Sequence, residues 1–333
     1  MSCYCDIMDE PTHRKKHQDK TPSRSSGGPG RGAIAVAWIG LLVLLIVSSL
    51  LVPDITRLMN RLGVNWKITS LAAILFPYVV TGLGSIAYGS VLPRHQLLRL
   101  FTDNRTWDRG LLRLSAAVYT AFLCLTTLLH WAFMPGSYRL LAFFSPDSPS
   151  PDIILIMWGL ALVLIPMQTS VEEILFRLMP ARFFYPLPWH LPGYPKGRIG
   201  LSLFSALLFV LPHLANPEVT GASNAAPVIF FYALFGFGVM YLSLVHKGFE
   251  IALGIHAANN LMAVFIVSYP DSALPAYPLL MAQGKADSWW GVIQLALSLI
   301  TVAVVSHLRR RKTSSAVLSA SGFSDSVVSD SSP

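Results

Sequence analysis

The stretch IILIMWGLALVLIPMQTSVEEILFRLMP, residues 153–180, decides how this chain is read. Up to Met167 it carries no charge, and with the residues that follow it exceeds the ~20 mostly apolar residues that a helix needs to cross a hydrocarbon core. Two carboxylates, Glu172 and Glu173, then stand inside the same run. An ionisable group placed at bilayer depth costs about 2.5–3.5 kcal/mol even on lenient insertion scales, so it is kept with a partner or a task. On a helix, Glu173 and Arg177 lie one turn apart on one face and can make a charge-assisted contact. Glu172 is turned about 100° away. The spacing therefore divides the pair into a structural ion pair and one carboxylate free for proton transfer. Two other readings compete: both acids serving a helix-packing salt bridge with Arg177, or a relay for coupled-proton transport.

Outward from this segment the same apolar character recurs at 33–52, 68–92, 114–134, 199–214, 227–246, 249–268 and 289–308, about eight spans in all. The whole composition agrees: 53% hydrophobic and 13% charged residues over 333 positions, with a mean hydropathy of +0.54, exclude an ordinary soluble domain. The expected fold class is all-α, a polytopic transmembrane helical bundle. The first run, 33–52, is longer than the ~7–15 residue core of a cleavable signal peptide and has no small-residue cleavage site after it, so it is expected to stay as a span.

The net charge of +8 is spread over tails and inter-span segments, which suits the cytoplasmic flanks of membrane helices and not a nucleic-acid groove. With the basic N-terminus inside, the segments holding Arg94, Arg99, Arg105 and Arg109, then Arg182, Lys196 and Arg198, then Lys247, then Arg309 to Lys312, all fall on the cytoplasmic side, and both termini come out cytoplasmic. A multi-pass cell-membrane protein is the expected localisation. One segment disagrees: 53–67 puts Arg57, Arg61 and Lys67 on the outer face. The chain divides into a disordered basic tail (1–32), N-terminal transmembrane helices (33–150), the helices bearing the polar motifs (151–268), a loop and last transmembrane helix (269–312) and a disordered Ser-rich tail (313–333). Cys3, Cys5 and Cys124 have neither disulfide-framework nor zinc-site spacing.

Two further motifs lie inside apolar runs. Phe209 and His213 in LFVLPHLANP are four apart, and Pro212 between them cannot donate its N–H, so an opened turn there can face His213 toward a water-filled cavity. His256 and Asn260 in GIHAANNL repeat the spacing, an imidazole and an amide on one face. Each His alone is as well explained by a helix–helix hydrogen bond. His95, His130, His190, His246 and His307 sit at span ends or in loops, where a polar tip needs no further reason, and Trp131, Trp289 and Trp290 read as interfacial anchors.

Taken in order, EExxxR (Glu172, Glu173, Arg177), FxxxH (Phe209, His213) and HxxxN (His256, Asn260) resemble the CAAX protease and bacteriocin-processing (CPBP, or Abi) family of intramembrane endopeptidases, which includes the Ras-converting CAAX endopeptidase. The resemblance covers about residues 172–260. It implies a helical-bundle peptidase in which Glu172, helped by His213, activates a water for attack on a peptide carbonyl, with His256 and Asn260 binding the oxyanion or a metal and with Glu173, Arg177 and Phe209 in support. The implied partners are a peptide or protein substrate at the membrane and the lipid bilayer, with no nucleic acid. A divalent metal such as zinc, on Glu172, His213 and His256, stays open, because two His with one Glu and a neutral Asn is not a conventional zinc set. The zinc HExxH and rhomboid GxSG motifs are absent. The alternatives are a proton-coupled transporter, which would show matching broken helices in two halves, and a non-catalytic membrane partner or immunity protein.

Counting 1.5 Å per residue puts Glu172 ~28 Å along an inward span from Ile153 and His213 ~21 Å up an outward span from Ile199. These depths disagree. Either Pro166 breaks the fourth span or the fifth starts below the membrane surface, and we expect both to contribute.

Overall fold

A computed structural model describes residues 29–146, 148–185, 191–284 and 288–328, with side chains up to Lys312. Most of the expected N-terminal tail, residues 1–28, and the end of the Ser-rich tail, 329–333, lie outside the described residues, as do Cys3, Cys5 and His190.

The chain is mostly helical. In order come α1 (Arg31–Ser49), α2 (Val52–Arg61), α3 (Trp66–Ser90), α4 (Arg94–Phe101), α5 (Arg109–Phe133), α6 (Pro151–Glu173), α7 (Met179–Phe184), α8 (Pro195–His213), α9 (Pro217–Thr220), α10 (Ala226–His246), α11 (Glu250–Phe265) and α12 (Trp289–Val328). A π-helical segment, Ile174–Leu178, joins α6 to α7 without a break, so that Pro151–Phe184 is one rod of 34 residues, roughly 51 Å at 1.5 Å per residue. Pro166 lies inside it and does not break it. The helix of the expected fifth span, α8, begins at Pro195, four residues before the expected start. The expected break at Pro166 is absent: α6 runs on unbroken into α7, and α8 starts earlier than expected. The last helix also runs on past Lys312 to Val328, where an unstructured tail is expected.

Among the described residues, six helical stretches are long and apolar enough to cross a membrane: Arg31–Arg61, Trp66–Ser90, Arg109–Phe133, Pro151–Phe184, Ala226–His246 and Trp289–Lys312. The expected eight therefore reduce to six on this criterion. Both missing ones are helices, but α8 spends its first turn on Lys196 and Arg198 and ends on Pro212 and His213, and α11 has only 16 residues. Their packing differs: α8 packs on α10 while exposing Leu203, Leu207 and Leu211, and α11 packs on α5, α6 and α10 with His256 buried among them.

Close helix approaches depend on small residues, as in membrane bundles generally. A Cβ on Gly236 would stand 2.8 Å from the Ala206 backbone where α10 crosses α8, and one on Gly254 would stand 2.5 Å from the Leu112 carbonyl where α11 crosses α5. The core that these crossings close is aromatic and aliphatic, with Phe209, Phe235, Phe249, Val239 and Ile255 buried at its centre.

The two ends of the bundle differ. At one, the basic segments meet: Asp103 pairs with Arg182 at 2.9 Å, Asp108 with Arg309 at 2.8 Å, Thr102 bridges Gly248, and Arg31 reaches the Phe184 carbonyl. At the other, a small sheet that the sequence pattern did not announce is ordered β1-β3-β2, with β1 (Tyr138–Leu140) antiparallel and β2 (Val267–Ser268) parallel to β3 (Leu280–Ala282). Lys67, one of the cations that disagreed with the charge rule, is anchored at this end: its Nζ donates to the Ala276 carbonyl at 2.8 Å and lies 4.0 Å from the Tyr277 ring centre.

Candidate active site

A cavity of about 490 Å³ opens between α3, α6, α8, α10 and α11, and Glu172, His213, His256 and Asn260 all line it. Three motifs separated by up to 88 positions in sequence are thus brought to one space, each by a different helix. The sheet end closes it, through Ser268 and Ala282 among others.

On the floor, α6 delivers both glutamates almost fully buried, at 3% and 1% exposure. The π segment begins directly after them. Such wide turns occur most often at functional sites, and here the turn carries Arg177, which hydrogen-bonds Glu173 Oε1. Arg177 is fully buried and also lies over two rings, its guanidinium carbon 4.5 Å from the Phe209 centroid and 5.6 Å from that of Phe235. Cation–π attraction of this kind strengthens when the pair is desolvated.

Glu173 is shared. Its Oε1 also accepts from His256 Nδ1 at 2.6 Å, while His256 Nε2 lies 3.3 Å from Glu172 Oε2. The spacing argument separated the two acids by helical phase, with Glu173 belonging to Arg177 alone; instead one imidazole from α11 spans both. A carboxylate only accepts, so Nδ1 carries a proton, and Nε2 faces Glu172 across an ionic contact. Arg177, Glu173, His256 and Glu172 form a continuous chain from a fixed cation to a cavity-facing carboxylate.

His213 ends α8. Its Nδ1 lies 2.6 Å from the Phe209 carbonyl; since a carbonyl cannot donate, Nδ1 bears the hydrogen and the neutral ring keeps Nε2 as an acceptor. Its ring packs on Phe209 and Tyr232, at centroid distances of 4.5 and 4.2 Å. Phe209 therefore touches both histidines and Arg177. Asn260 donates from Nδ2 to Gln168 Oε1 at 3.1 Å.

Several residues of the site carry no motif. Tyr78 on α3 comes within hydrogen-bonding reach of Glu172. Glu218 on α9 accepts from the Tyr232 hydroxyl, from Asn216 and, at 2.9 Å, from the Ala273 backbone N–H, tying the sheet-end loop to the ring that backs His213. Aromatic residues in an apolar run give no sign of such roles, but Gln168, polar, in an apolar run and one turn before Glu172, was visible. His130 and Trp290, read as span-end residues, line the cavity too, stacked at 4.8 Å.

The three candidate metal ligands share this cavity, yet among the described residues no three His, Cys, Asp or Glu side chains gather as a metal shell. Both His256 nitrogens face carboxylate oxygens. Glu172, His213 and His256 do not by themselves form a three-ligand shell for a divalent ion.

Residues 151–262 match the family model described as type II CAAX prenyl endopeptidase Rce1-like. The match is a similarity of this segment, about a third of the chain. Its limits enclose Glu172, His213, His256 and Asn260, and they run from the first residue of α6 into α11. Over a longer range, the chain is similar to YyaK of Bacillus subtilis (strain 168), described as an uncharacterized protein, at 22% identity over 286 residues, 85% of this chain and 90% of that one. No solved structure matches it.

Proposed function

We propose that this multi-pass membrane protein is an intramembrane endopeptidase of the CAAX-protease-like type. The observation that carries the reading is the single imidazole of His256 held between Glu172 and Glu173 in a cavity that also holds His213 and Asn260, within the Rce1-like segment.

In this mechanism a water sits between the Glu172 carboxylate and His213 Nε2. Glu172 takes its proton as the oxygen attacks the scissile carbonyl carbon, His213 orienting the water through its lone pair. Negative charge then develops on the carbonyl oxygen, and the Asn260 amide N–H receives it, with His256 Nε2–H beside it. Glu173 holds the His256 ring through Nδ1 and, with Arg177 behind it, keeps the imidazole able to carry that proton. Collapse of the tetrahedral species breaks the C–N bond, and the proton on Glu172 passes to the leaving amine, which restores the carboxylate and yields one acid and one amine per water consumed.

The substrate is a peptide segment reaching the site from the membrane, with both termini and the basic loops on the cytoplasmic side. The clustering of those loops at one end, away from Lys67 and the sheet, supports this orientation. A proton-coupled transporter would use similar groups, but the family match falls on these residues and favours hydrolysis.

The test is turnover of a dye-quenched prenylated CAAX peptide by purified protein in detergent. Glu172→Ala is expected to lower kcat by at least ~10³-fold with an unchanged melting temperature. Turnover equal to wild type would sink the reading.

A further inference from the structure

The amide of Asn260 does not stand alone. Tyr119 on α5, 1% exposed, donates its hydroxyl to Asn259 Oδ1 at 2.9 Å; Asn259 Nδ2 donates to Asn260 Oδ1 at 3.1 Å; Asn260 Nδ2 donates to Gln168 Oε1 at 3.1 Å. Each link settles the next. A phenol has one hydrogen, and once it is given to Asn259 the carboxamides that follow are oriented in turn, each with its oxygen accepting and its nitrogen donating. At the end of the chain Gln168 has its oxygen committed to Asn260, so both of its donors are on Nε2. Gln168 is 5% exposed and lines the cavity on the same face of α6 as Glu172, one turn away.

We infer that Gln168 is a second oxyanion donor, its Nε2–H group acting with the remaining N–H of Asn260 on the same developing charge. This rests on the peptidase reading and extends it. Oxyanion sites are built from donors held in place before charge appears, and loss of one donor costs about 10²–10³ in kcat. The relay from Tyr119 supplies that fixation: two amides are locked in a donor-outward orientation by a buried phenol, on three helices, α5, α11 and α6. Tyr119 and Asn259 are positioning residues here, and Gln168 touches the reacting atom.

Gln168→Leu keeps the bulk and removes both donors. With the quenched prenylated peptide it is expected to lower kcat about 100-fold while KM changes less than about threefold, the pattern of an interaction made only in the transition state; Gln168→Met serves if the Leu variant melts below the assay temperature. A second measurement separates a donor from a mere holder of Asn260. Affinity for a peptidyl phosphinate, an anionic tetrahedral mimic, is measured for Gln168→Leu in both the wild-type and the Asn260→Ala backgrounds. A further loss of about tenfold or more in the Asn260→Ala background supports direct donation. The inference falls if kcat stays within threefold of wild type, or if Gln168→Leu in the wild-type background binds the phosphinate as tightly as wild type. Glu172→Ala, run alongside, keeps the two claims apart: turnover that is lost in Glu172→Ala but kept in Gln168→Leu sinks the second donor alone, whereas turnover independent of Glu172 brings down the peptidase reading and this inference with it.

Discussion

Two buried arginine–carboxylate pairs stand five residues apart on one rod, and they are built differently. Arg182 is the more fully bonded: Nε donates to the Leu100 carbonyl, Nη1 to Asp103 Oδ1, the second carboxylate oxygen accepts from the Leu191 N–H, and among the described residues only Nη2 lacks an acceptor. Arg177 is left open. Among the described residues only its Nη1 has a hydrogen-bond acceptor, Glu173 Oε2 has no donor, and the oxygen that Arg177 does bind also accepts from His256. Rings of Phe209 and Phe235 replace the missing acceptors. A pair that spends its hydrogen bonds on backbone fastens helices together; one that shares an oxygen with an imidazole passes its charge on to a cavity.

The comparison can be broken most directly at Arg177. Arg177→Met removes one partner of a buried pair and is expected to cost about 3–5 kcal/mol of stability, and to lower kcat in the protein that remains folded; a normal kcat per folded molecule would make this pair as structural as the other. Arg182→Met should cost a similar ~3–5 kcal/mol, read as a lower melting temperature in detergent, with kcat per folded molecule unchanged. A selective loss of kcat there would erase the distinction. The smallest effect belongs to a third pair, Arg309–Asp108, whose side chains are 39% and 36% exposed. Hydrogen bonding from Arg309 holds the Asp108 carboxyl below the usual carboxylate range. A lowered folded-state value stabilises above the unfolded value and is lost as pH falls through the folded one, so Asp108→Asn should cost less than about 1 kcal/mol at neutral pH. That difference should fade below about pH 4, and a larger cost in melting curves would show the pair to be less exposed in the membrane than here.

How far the site was legible follows the same line. Glu172, Glu173, Arg177, His213, His256 and Asn260 could be read because each is a polar group in an apolar run, which has a cost, and because their four-residue spacings keep paired groups on one helix face. What spacing within a helix cannot report is contact between helices. That Glu173 answers to His256 as well as to Arg177 depends on how α11 crosses α6, and the part played by Tyr78 depends on α3. Gln168 is one amide in an apolar span, and such a residue has a bland explanation until its partner Asn260 is known. The span count differs where α11 is short and buried against other helices and where α8 begins on the charges of Lys196 and Arg198. Strands of two or three residues carry no periodicity, so the sheet left no trace.

The π turn at Ile174–Leu178 has a consequence for how the rod can change. A wide turn acts as a one-residue insertion into an α-helix and resets its phase, so the residues before it face the cavity on one setting and those after it face Asp103 on another. The reactive end and the fastened end are geared independently, and either can be repacked without rotating the other. Removal of a single residue from the turn would lock the two ends into one gear, and the rod could then satisfy His256 or Asp103, not both.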